Sequence, residues 1–262
     1  MTDQILLFDV GNTSIKVGIS SSEVIIAMYT LRTDVAQTSD SFGLNLYSLL
    51  RHANIDKKDL QSCVCSSVVP DMTPIIRDAC ERFIGIPFFQ VPKDIAIPLK
   101  NCYSNPHEVG ADRLVCGYAA RKLISHVPSL IVVDFGTATT FDCVSHNDYL
   151  GGIIFPGVHT AASALSAKAA KLPRINLETT DLEPVPGRNT ATSMQHGILF
   201  GFVAMVEGLT QRLARQMQGP VHILGTGGFA KDIAKISSCF NSVLPNLILD
   251  GLRQLYFEEK IY

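Results

Sequence analysis

The chain has 262 residues, more than the roughly 100–200 that usually share one core, so we expect one large or two medium-sized domains. Hydrophobic residues make up 47% of the sequence and charged residues 18%, against about 25% charged in ordinary globular proteins. This composition excludes global disorder, and the low charge favours an oligomer. The net charge of −2 predicts no electrostatic attraction to nucleic acid or to an anionic membrane.

The cysteines and the N-terminal residues indicate where in the cell the protein is located. The 7 cysteines are scattered and odd in number, which favours reduced thiols in a cytosol over a disulfide framework. Asp3 stands where a secretory signal would carry basic residues. Clean apolar runs such as 130–133 are much shorter than the roughly 20 residues that cross a bilayer. We therefore expect a cytoplasmic protein with no membrane or nucleic-acid partner.

The first half of the chain predicts strands before helices. Its first 30 residues form a meander of three strands with polar turns between them: 5–8, 15–19 and 24–30. Two helices follow around 42–50 and 75–83, separated by a buried strand at 63–69, and Gly85 is expected to cap the second. The proline-rich stretch 87–106 predicts a short strand and an extended loop. An amphipathic helix then begins with Asp112 and Arg113 near its first turn.

The opening pattern returns at 130–144, where an apolar strand again ends in Asp-x-Gly and a turn rich in hydroxyl groups. Asp134 follows Asp9 by 125 residues, close to half the chain length, so the pattern predicts two similar domains, although two such short turns can also match by chance. The second half adds helices at 161–171 and 190–217 and a strand at 221–225. We predict an α/β protein with mixed sheets and domains 1–116 and 117–262.

Both turns suit a bound phosphate. Glycine lets the backbone approach a polyanion, amides donate to its oxygens, and an aspartate holds a cation or its water shell. Lys16 lies just beyond the first turn, and 225–228 forms a further glycine-rich loop. Each turn alone is also an ordinary hairpin turn, but together they favour a nucleoside triphosphate. The sequence contains no P-loop motif and no G-x-G-x-x-G motif.

Asp112 is the strongest candidate for a general base, because it opens a helix beside Arg113 after the proline-rich loop. The alternative interpretation is an ion pair or a helix N-terminal charge, which stabilises a helix by about 0.3–1 kcal/mol. Spacing alone does not choose between the two. The histidines are scattered and give no metal or catalytic pattern.

Six ordered motifs resemble those of type III pantothenate kinases. They share the family's order from residue 9 to about 228: 9–16 (DVGNTSIK), 105–113 (NPHEVGADR), 134–140 (DFGTATT), 151–157 (GGIIFPG), 189–197 and 226–228 (TGG). The resemblance implies the acetate and sugar kinase/Hsp70/actin superfamily, with two duplicated ribonuclease-H-like domains in an actin-like ATPase fold. It implies ATP-dependent phosphorylation of the primary hydroxyl of pantothenate to 4'-phosphopantothenate, the first step of coenzyme A biosynthesis.

The same resemblance assigns roles to individual residues. It implies Asp112 as the general base and Asp134 as the ligand of a monovalent cation, K⁺ or NH₄⁺, with Mg²⁺ also required. The implied ATP contacts are Asp9, Gly11, Asn12, Thr13, Lys16, Thr137, Gly227 and Gly228. The implied pantothenate contacts are Tyr103, Gly110, Ala111, Asp112, Arg113 and Thr190, with Arg113 suited to the substrate carboxylate. Family members are homodimers, and the long helix after Thr190, with its three glycines, is the expected interface.

The chain departs from the family at Cys116, where asparagine is frequent, and at His196, where serine is frequent. Neither position is assigned chemistry, so we expect activity to be kept. Two other interpretations stay open: a kinase of the same superfamily for another small alcohol, and a non-catalytic regulatory homologue of the transcription accessory type. Retention of Asp112 and Arg113 argues against the latter.

Overall fold

The computed structural model describes residues 3–169, 171–178 and 180–258, which divide into two compact units. Unit 1 consists of the described residues of Met1–Pro98, His107–Ala119 and Ile248–Tyr262. Unit 2 consists of those of Leu99–Pro106 and Ala120–Leu247. The predicted boundary at 116 stays a prediction, and the units differ from it because the last helix belongs to unit 1.

Unit 1 contains a five-stranded mixed sheet. Its strands are β1 (Gln4–Val10), β2 (Ser14–Ser20), β3 (Ile25–Arg32), β4 (Leu60–Ser67) and β5 (Phe88–Val91). The spatial order is β3-β2-β1-β4-β5, with the first three strands antiparallel and β4 and β5 parallel to β1. The β1 strand is buried on both faces, as expected for a central strand covered by helices.

Helices cover both faces of this sheet. On one face, α1 (Ser39–His52) and α2 (Met72–Ala79) bury residues such as Phe42 and Ile76 against the strands, and Gly85 ends the following π-helical turn at φ 84°. On the other face, α7 (Leu247–Glu258) lies against β2, and α3 (Ala111–Leu123) packs on α7. A Cβ atom on Gly18 of β2 would lie 3.4 Å from a methyl carbon of Leu249 in α7.

Unit 2 repeats the topology of unit 1. Its strands are β6 (Lys100–Asn101), β7 (Ser129–Phe135), β8 (Ala138–Ser145), β9 (Asp148–Pro156), β10 (Val221–Gly227) and β11 (Ser242–Val243). Their order is β11-β10-β7-β8-β9-β6, with β7–β9 antiparallel and β10 parallel to β7. The first three strands and the parallel fourth match those of unit 1, so the predicted duplicated meanders and mixed sheets are confirmed.

Three helices complete unit 2: α4 (Val158–Lys168), α5 (Thr190–Ala214) and α6 (Ala230–Lys235). They bury one face of the sheet, with Phe141, Leu199 and Val206 among the core residues. By length and composition, α5 could span a membrane, and 28% of its most apolar 18-residue window is buried. The expectation of no membrane partner stays a prediction.

Candidate active site

Asp9 and Lys16 face each other across the first turn of unit 1. They are Cα partners on β1 and β2, and the Nζ atom of Lys16 lies 3.7 Å from Oδ2 of Asp9. The turn between them is closed by a hydrogen bond from the Gly11 N–H to the Ser14 carbonyl, 3.0 Å. Thr33 donates from its hydroxyl to the Gly11 carbonyl, 2.6 Å. Asn12 and Thr13, at the tip of the turn, are exposed.

The carboxyl group of Asp9 has an unusual acidity. Its pKa is raised from 3.8 to about 6, mainly by burial and also by the nearby Asp112, while Lys16 opposes both effects. Two carboxyl groups and one ammonium group therefore share one electrostatic environment. A group of this composition favours an additional cation when both carboxylates are charged.

Asp112 lies in the first turn of α3, as predicted, and is held by its own backbone segment. Its Oδ1 accepts a hydrogen bond from the Arg113 N–H, 2.8 Å. Burial raises the pKa of Asp112, while the Arg113 N–H and guanidinium and the Lys16 ammonium oppose this rise. A Cβ atom on Gly110 would overlap Oδ1 of Asp112, so a larger residue there would displace this carboxylate. Ala111 opens the helix, and Arg113 is 9% exposed.

Asp134 occupies the equivalent position of unit 2, at the end of β7. Its Cα partners are Thr140 on β8 and Thr226 on β10. Gly227 follows at φ 89°, and a Cβ atom there would overlap Oδ1 of Asp134 and lie 2.8 Å from backbone atoms of Phe135. Gly228 is exposed, with no atom within 4 Å of where its Cβ would be. The sequence motif TGG thus combines one position that requires glycine with one that does not.

The second turn is fixed by residues that its own motif does not contain. The Thr137 carbonyl accepts hydrogen bonds from the Gly157 N–H, 3.0 Å, and from the Thr160 hydroxyl, 2.7 Å. A Cβ atom on Gly157 would overlap the carbonyl oxygen of Gly136, so a larger residue would displace the turn. Gly157 lies in the motif 151–157, to which the family resemblance assigned no role. Its signal was a glycine following proline at the end of a strand.

Tyr103 and Thr190 are in unit 2. Tyr103 is half-buried against β9, where a Cβ atom on Gly151 would lie 3.3 Å from its ring. Thr190 is the first residue of α5, whose N-cap is Asn189, and it lines a cavity of about 690 Å³ together with Arg188 and Met194. The predicted site residues thus form a set in unit 1 around Asp9 and Asp112 and a set in unit 2 around Asp134.

The two departures from the family pattern are buried. Cys116 is 2% exposed in α3. His196 places its Nε2 atom 3.0 Å from Oδ2 of Asp181, and its Nδ1 atom lies 2.9 Å from the carbonyl oxygen of Val185. Both positions therefore have structural contacts within the chain.

The sites fit the phosphate and cation chemistry that the sequence suggested. Asp9 and Asp112 provide carboxylate oxygens at one turn, and Mg²⁺ is usually held by one or two carboxylates together with substrate phosphates. At the other turn, the missing Cβ of Gly227 leaves the Oδ1 atom of Asp134 room beside the backbone. A duplicated fold with an acidic turn in each unit and a helix-borne carboxylate is typical of the actin-like ATPase class and suits a phosphotransferase.

Comparison with known proteins gives the family. The model of the type III pantothenate kinase family matches residues 5–212. The chain belongs to the type III pantothenate kinase family. It is 56% identical to the type III pantothenate kinase of Desulfovibrio desulfuricans over 260 residues, covering 99% of each chain. It is 51% identical to that of Oleidesulfovibrio alaskensis, covering 100% of this chain and 99% of the relative.

Solved structures confirm the fold class. A Baf family transcriptional activator from Campylobacter jejuni gives a TM-score of 0.62 at 19% identity and covers 97% of this chain and 98% of its own. Component A of (R)-2-hydroxyglutaryl-CoA dehydratase from Acidaminococcus fermentans gives 0.52 at 16% identity, with 97% of each chain covered. The predicted pair of duplicated ribonuclease-H-like domains is therefore confirmed, and these distant structures bear on the fold alone.

Proposed function

We propose that this chain transfers the γ-phosphoryl group of ATP to the primary hydroxyl of pantothenate, giving 4'-phosphopantothenate, the first step of coenzyme A biosynthesis. The observation that carries the proposal is the buried carboxyl group of Asp112, with its raised pKa, in the same electrostatic environment as Asp9 and Lys16. The substrate follows from the relatives that are 50–56% identical and are type III pantothenate kinases. As a cytoplasmic enzyme, it would supply the pathway inside the cell.

Asp112 acts as the general base. It accepts the proton of the pantothenate hydroxyl as that oxygen bonds to the γ-phosphorus and the bond from this phosphorus to the β–γ bridging oxygen breaks, so ADP leaves and the proton later passes to solvent. The raised pKa suits this role, because a stronger base shares the proton more effectively in the transition state. The Arg113 N–H holds the carboxylate in place through Oδ1.

The first turn supports the triphosphate. Lys16 provides a positive charge for phosphate oxygens, and Gly11, Asn12 and Thr13 provide the turn in which backbone amides approach them. Asp9, with its carboxylate beside Asp112, would hold Mg²⁺ together with the phosphates. When bound, Mg²⁺ supplies charge neutralisation of the triphosphate.

In unit 2, Asp134 would hold K⁺ or NH₄⁺, and Thr137, Gly227 and Gly228 would contact ATP. A carboxylate and backbone carbonyls offer only oxygen ligands, which suit a large, weakly hydrated monovalent cation. When bound, this cation supplies positive charge near the phosphates. The Thr137 carbonyl is already held by Gly157 and Thr160, so the turn keeps its shape before any ligand arrives.

Five residues are proposed to contact pantothenate beside the base. Gly110, Ala111 and Arg113 surround Asp112 in unit 1, and the Arg113 guanidinium is a suitable partner for the substrate carboxylate. Tyr103 and Thr190 are the remaining two proposed contacts. Burial of Arg113 strengthens such a charge-assisted hydrogen bond, because water competes less for it.

The active form would be a homodimer with α5 at its interface. Only 28% of the most apolar part of α5 is buried in the single chain. Gly197 and Gly201 are exposed, and no atom lies within 4 Å of where a Cβ would be at either position. An apolar helix face with exposed glycines permits close packing against a second helix.

The test of the function is an assay of ATP consumption with and without pantothenate, followed by mass detection of the product. We expect ADP formation that depends on pantothenate and a product heavier by one phosphoryl group. An Asp112→Asn variant is the matched control, since it keeps the shape of the side chain. ATP consumption without pantothenate, or phosphorylation of other small alcohols in preference, would contradict the proposal.

A further inference from the structure

Asn101 holds both ends of the short loop that carries Tyr103. The amide oxygen of Asn101 accepts a hydrogen bond from the Tyr103 N–H, 3.0 Å, and its amide nitrogen donates to the Pro106 carbonyl, 3.0 Å. Asn101 is itself anchored, because within β6 it pairs with Tyr149 and the Cys102 N–H that follows donates to the Tyr149 carbonyl, 2.9 Å. One side chain thus spans the loop and ties it to the edge of the sheet.

The ring of Tyr103 is positioned by β9. Its centroid lies 6.5 Å from that of Tyr149, with the planes inclined at 44°. Gly151, at φ 114°, lies close to the Tyr103 ring, and a Cβ atom on residue 151 would lie 3.3 Å from Cε2 of Tyr103. Few residues other than glycine adopt this backbone conformation, so the close approach of strand and ring depends on Gly151.

Tyr149 is in turn fixed by a buried carboxylate. Its hydroxyl donates to Oδ1 of Asp142, 2.7 Å, and the Thr140 hydroxyl donates to Oδ2 of the same group, 2.9 Å. Tyr149 is 0% exposed and Asp142 is 1% exposed. Water competes little for hydrogen bonds at a buried group, so these two bonds leave the tyrosine ring little freedom to move.

We propose that Asn101, together with the Asp142–Tyr149 pair, positions Tyr103 for pantothenate binding. This inference rests on the proposed function, in which Tyr103 contacts pantothenate. Asn101 fixes the backbone of Tyr103, and Tyr149, held by Asp142, fixes its ring. None of these three touches the reacting atoms, so each is a positioning residue whose effect passes through Tyr103.

The first test is Asn101→Ala, with steady-state kinetics for both substrates. We expect the KM for pantothenate to rise about tenfold, because losing the net free energy of roughly one hydrogen bond weakens binding by about that factor. The KM for ATP and kcat should change less than about threefold, because the ATP contacts and the base are untouched. Asn176→Ala is the matched control, since Asn176 accepts from the Glu178 N–H, 3.1 Å, in another loop. Equal effects of the two variants would overturn the inference.

A second set of variants addresses the mechanism. Asn101→Asp keeps an acceptor for the Tyr103 N–H but loses the donor to Pro106, so we expect an intermediate KM for pantothenate. Tyr149→Phe removes the hydroxyl that Asp142 holds and should also raise this KM, whereas Tyr47→Phe on the exposed surface of α1 should not. If these variants lower kcat and weaken ATP binding equally, the residues serve the fold alone and the inference fails.

A double-mutant cycle gives the decisive readout. If Asn101 acts through Tyr103, adding Asn101→Ala to Tyr103→Ala should change pantothenate affinity, measured by calorimetry, by less than about twofold. Additive effects would overturn the inference. If the wild-type chain binds and phosphorylates pantothenate and the Asn101→Ala variant does so equally well, only this inference is contradicted. A wild-type chain that does not use pantothenate contradicts the proposed function itself.

Discussion

The Oδ1 atom of Asp134 occupies the space that a Cβ atom on residue 227 would need. Because Gly227 also has φ 89°, two independent constraints require glycine there. Strands β10 and β7 are parallel neighbours, so their ends lie side by side. The glycine-rich loop after β10 therefore lies directly beside the acidic turn after β7. The motifs 226–228 (TGG) and 134–140 (DFGTATT) therefore form one local structure in unit 2.

Gly227→Ala should consequently destabilise the chain. A non-glycine residue in a left-handed conformation costs about 1–3 kcal/mol, and the overlap with Asp134 adds to this. Gly228→Ala is the matched control, because its Cβ would meet no atom within 4 Å. Thermal unfolding measures both. A Tm for Gly227→Ala equal to that of Gly228→Ala would show that the turn adapts to the added methyl group.

Asp112→Asn should lower kcat by roughly 10²–10⁴-fold, the contribution of a general base. The amide keeps the size of the side chain and can still accept from the Arg113 N–H, but it cannot take the hydroxyl proton. ATP binding, measured by calorimetry, should change little. Glu108→Gln, an exposed residue nearby, provides the control and should keep normal turnover. Near-normal turnover of Asp112→Asn would leave Asp112 as a helix N-terminal charge.

The raised pKa of Asp9 predicts how stability depends on pH. The folded value is about 6 and the ordinary value is 3.8, so the folded state binds a proton more tightly than the unfolded state. The stability that comes from this tighter proton binding is fully present below pH 3.8 and is lost as the pH rises through about 6. Asp9→Asn should therefore be more stable than wild type at pH 7–8, by on the order of 2–3 kcal/mol in the free energy of unfolding, with the difference shrinking toward pH 4.

The measurement is thermal unfolding across this pH range with a chelator present, so that no divalent cation offsets the charge of Asp9. Asp71→Asn is the control, because Asp71 is exposed and makes no side-chain cap hydrogen bond. A wild-type chain that gains stability over Asp9→Asn as the pH rises would reverse the sign and refute the argument.

Monovalent cations should activate the enzyme through Asp134. We expect turnover to be low in a buffer whose ionic strength comes from a bulky organic cation, to rise with K⁺ or NH₄⁺, and to respond poorly to Na⁺. Asp134→Ala should lose this response and use ATP weakly, because the carboxylate ligand is gone. Full activity without K⁺ that does not change when K⁺ is added would assign Asp134 to Mg²⁺ or to structure.

The dimer should depend on small residues along α5. Gly201→Leu places an isobutyl group on an exposed position with no neighbouring atom within 4 Å, so the single chain should fold normally. Light scattering should then report a mass near 28.5 kDa for the variant and about twice that for wild type. A wild-type monomer at all concentrations, or an unaffected dimer in Gly201→Leu, would contradict this assignment.

Local patterns predicted most of the fold because they are set by neighbours along the chain. The alternation and turn residues of 5–30 gave the first meander, and the repeated Asp-x-Gly turn gave the second. Asp112 lies in the first turn of its helix as the amphipathic pattern required. The family motifs then predicted more candidate site residues than spacing alone could.

Contacts between distant parts of the chain were beyond the sequence. Nothing in the pattern around Asn101 indicates that its side chain bonds to both Tyr103 and Pro106, since this depends on the path of the loop. The pKa of Asp9 likewise depends on burial and on Asp112, which lies 103 residues further along. The helix at the C-terminal end was not predicted, and its place in unit 1 follows from packing rather than from local propensity.

That last helix also constrains the order in which the chain can mature on the ribosome. Gly251 of α7 packs so closely on α3 that a Cβ there would lie 2.8 Å from a side-chain carbon of Val115 and 3.0 Å from Cβ of Ala119. Until residues 247–258 have been synthesised, α3 lacks this cover and β2 lacks Leu249. The unit that is translated first is therefore completed last, and an early stop codon just before α7 would damage the N-terminal unit rather than the one it follows.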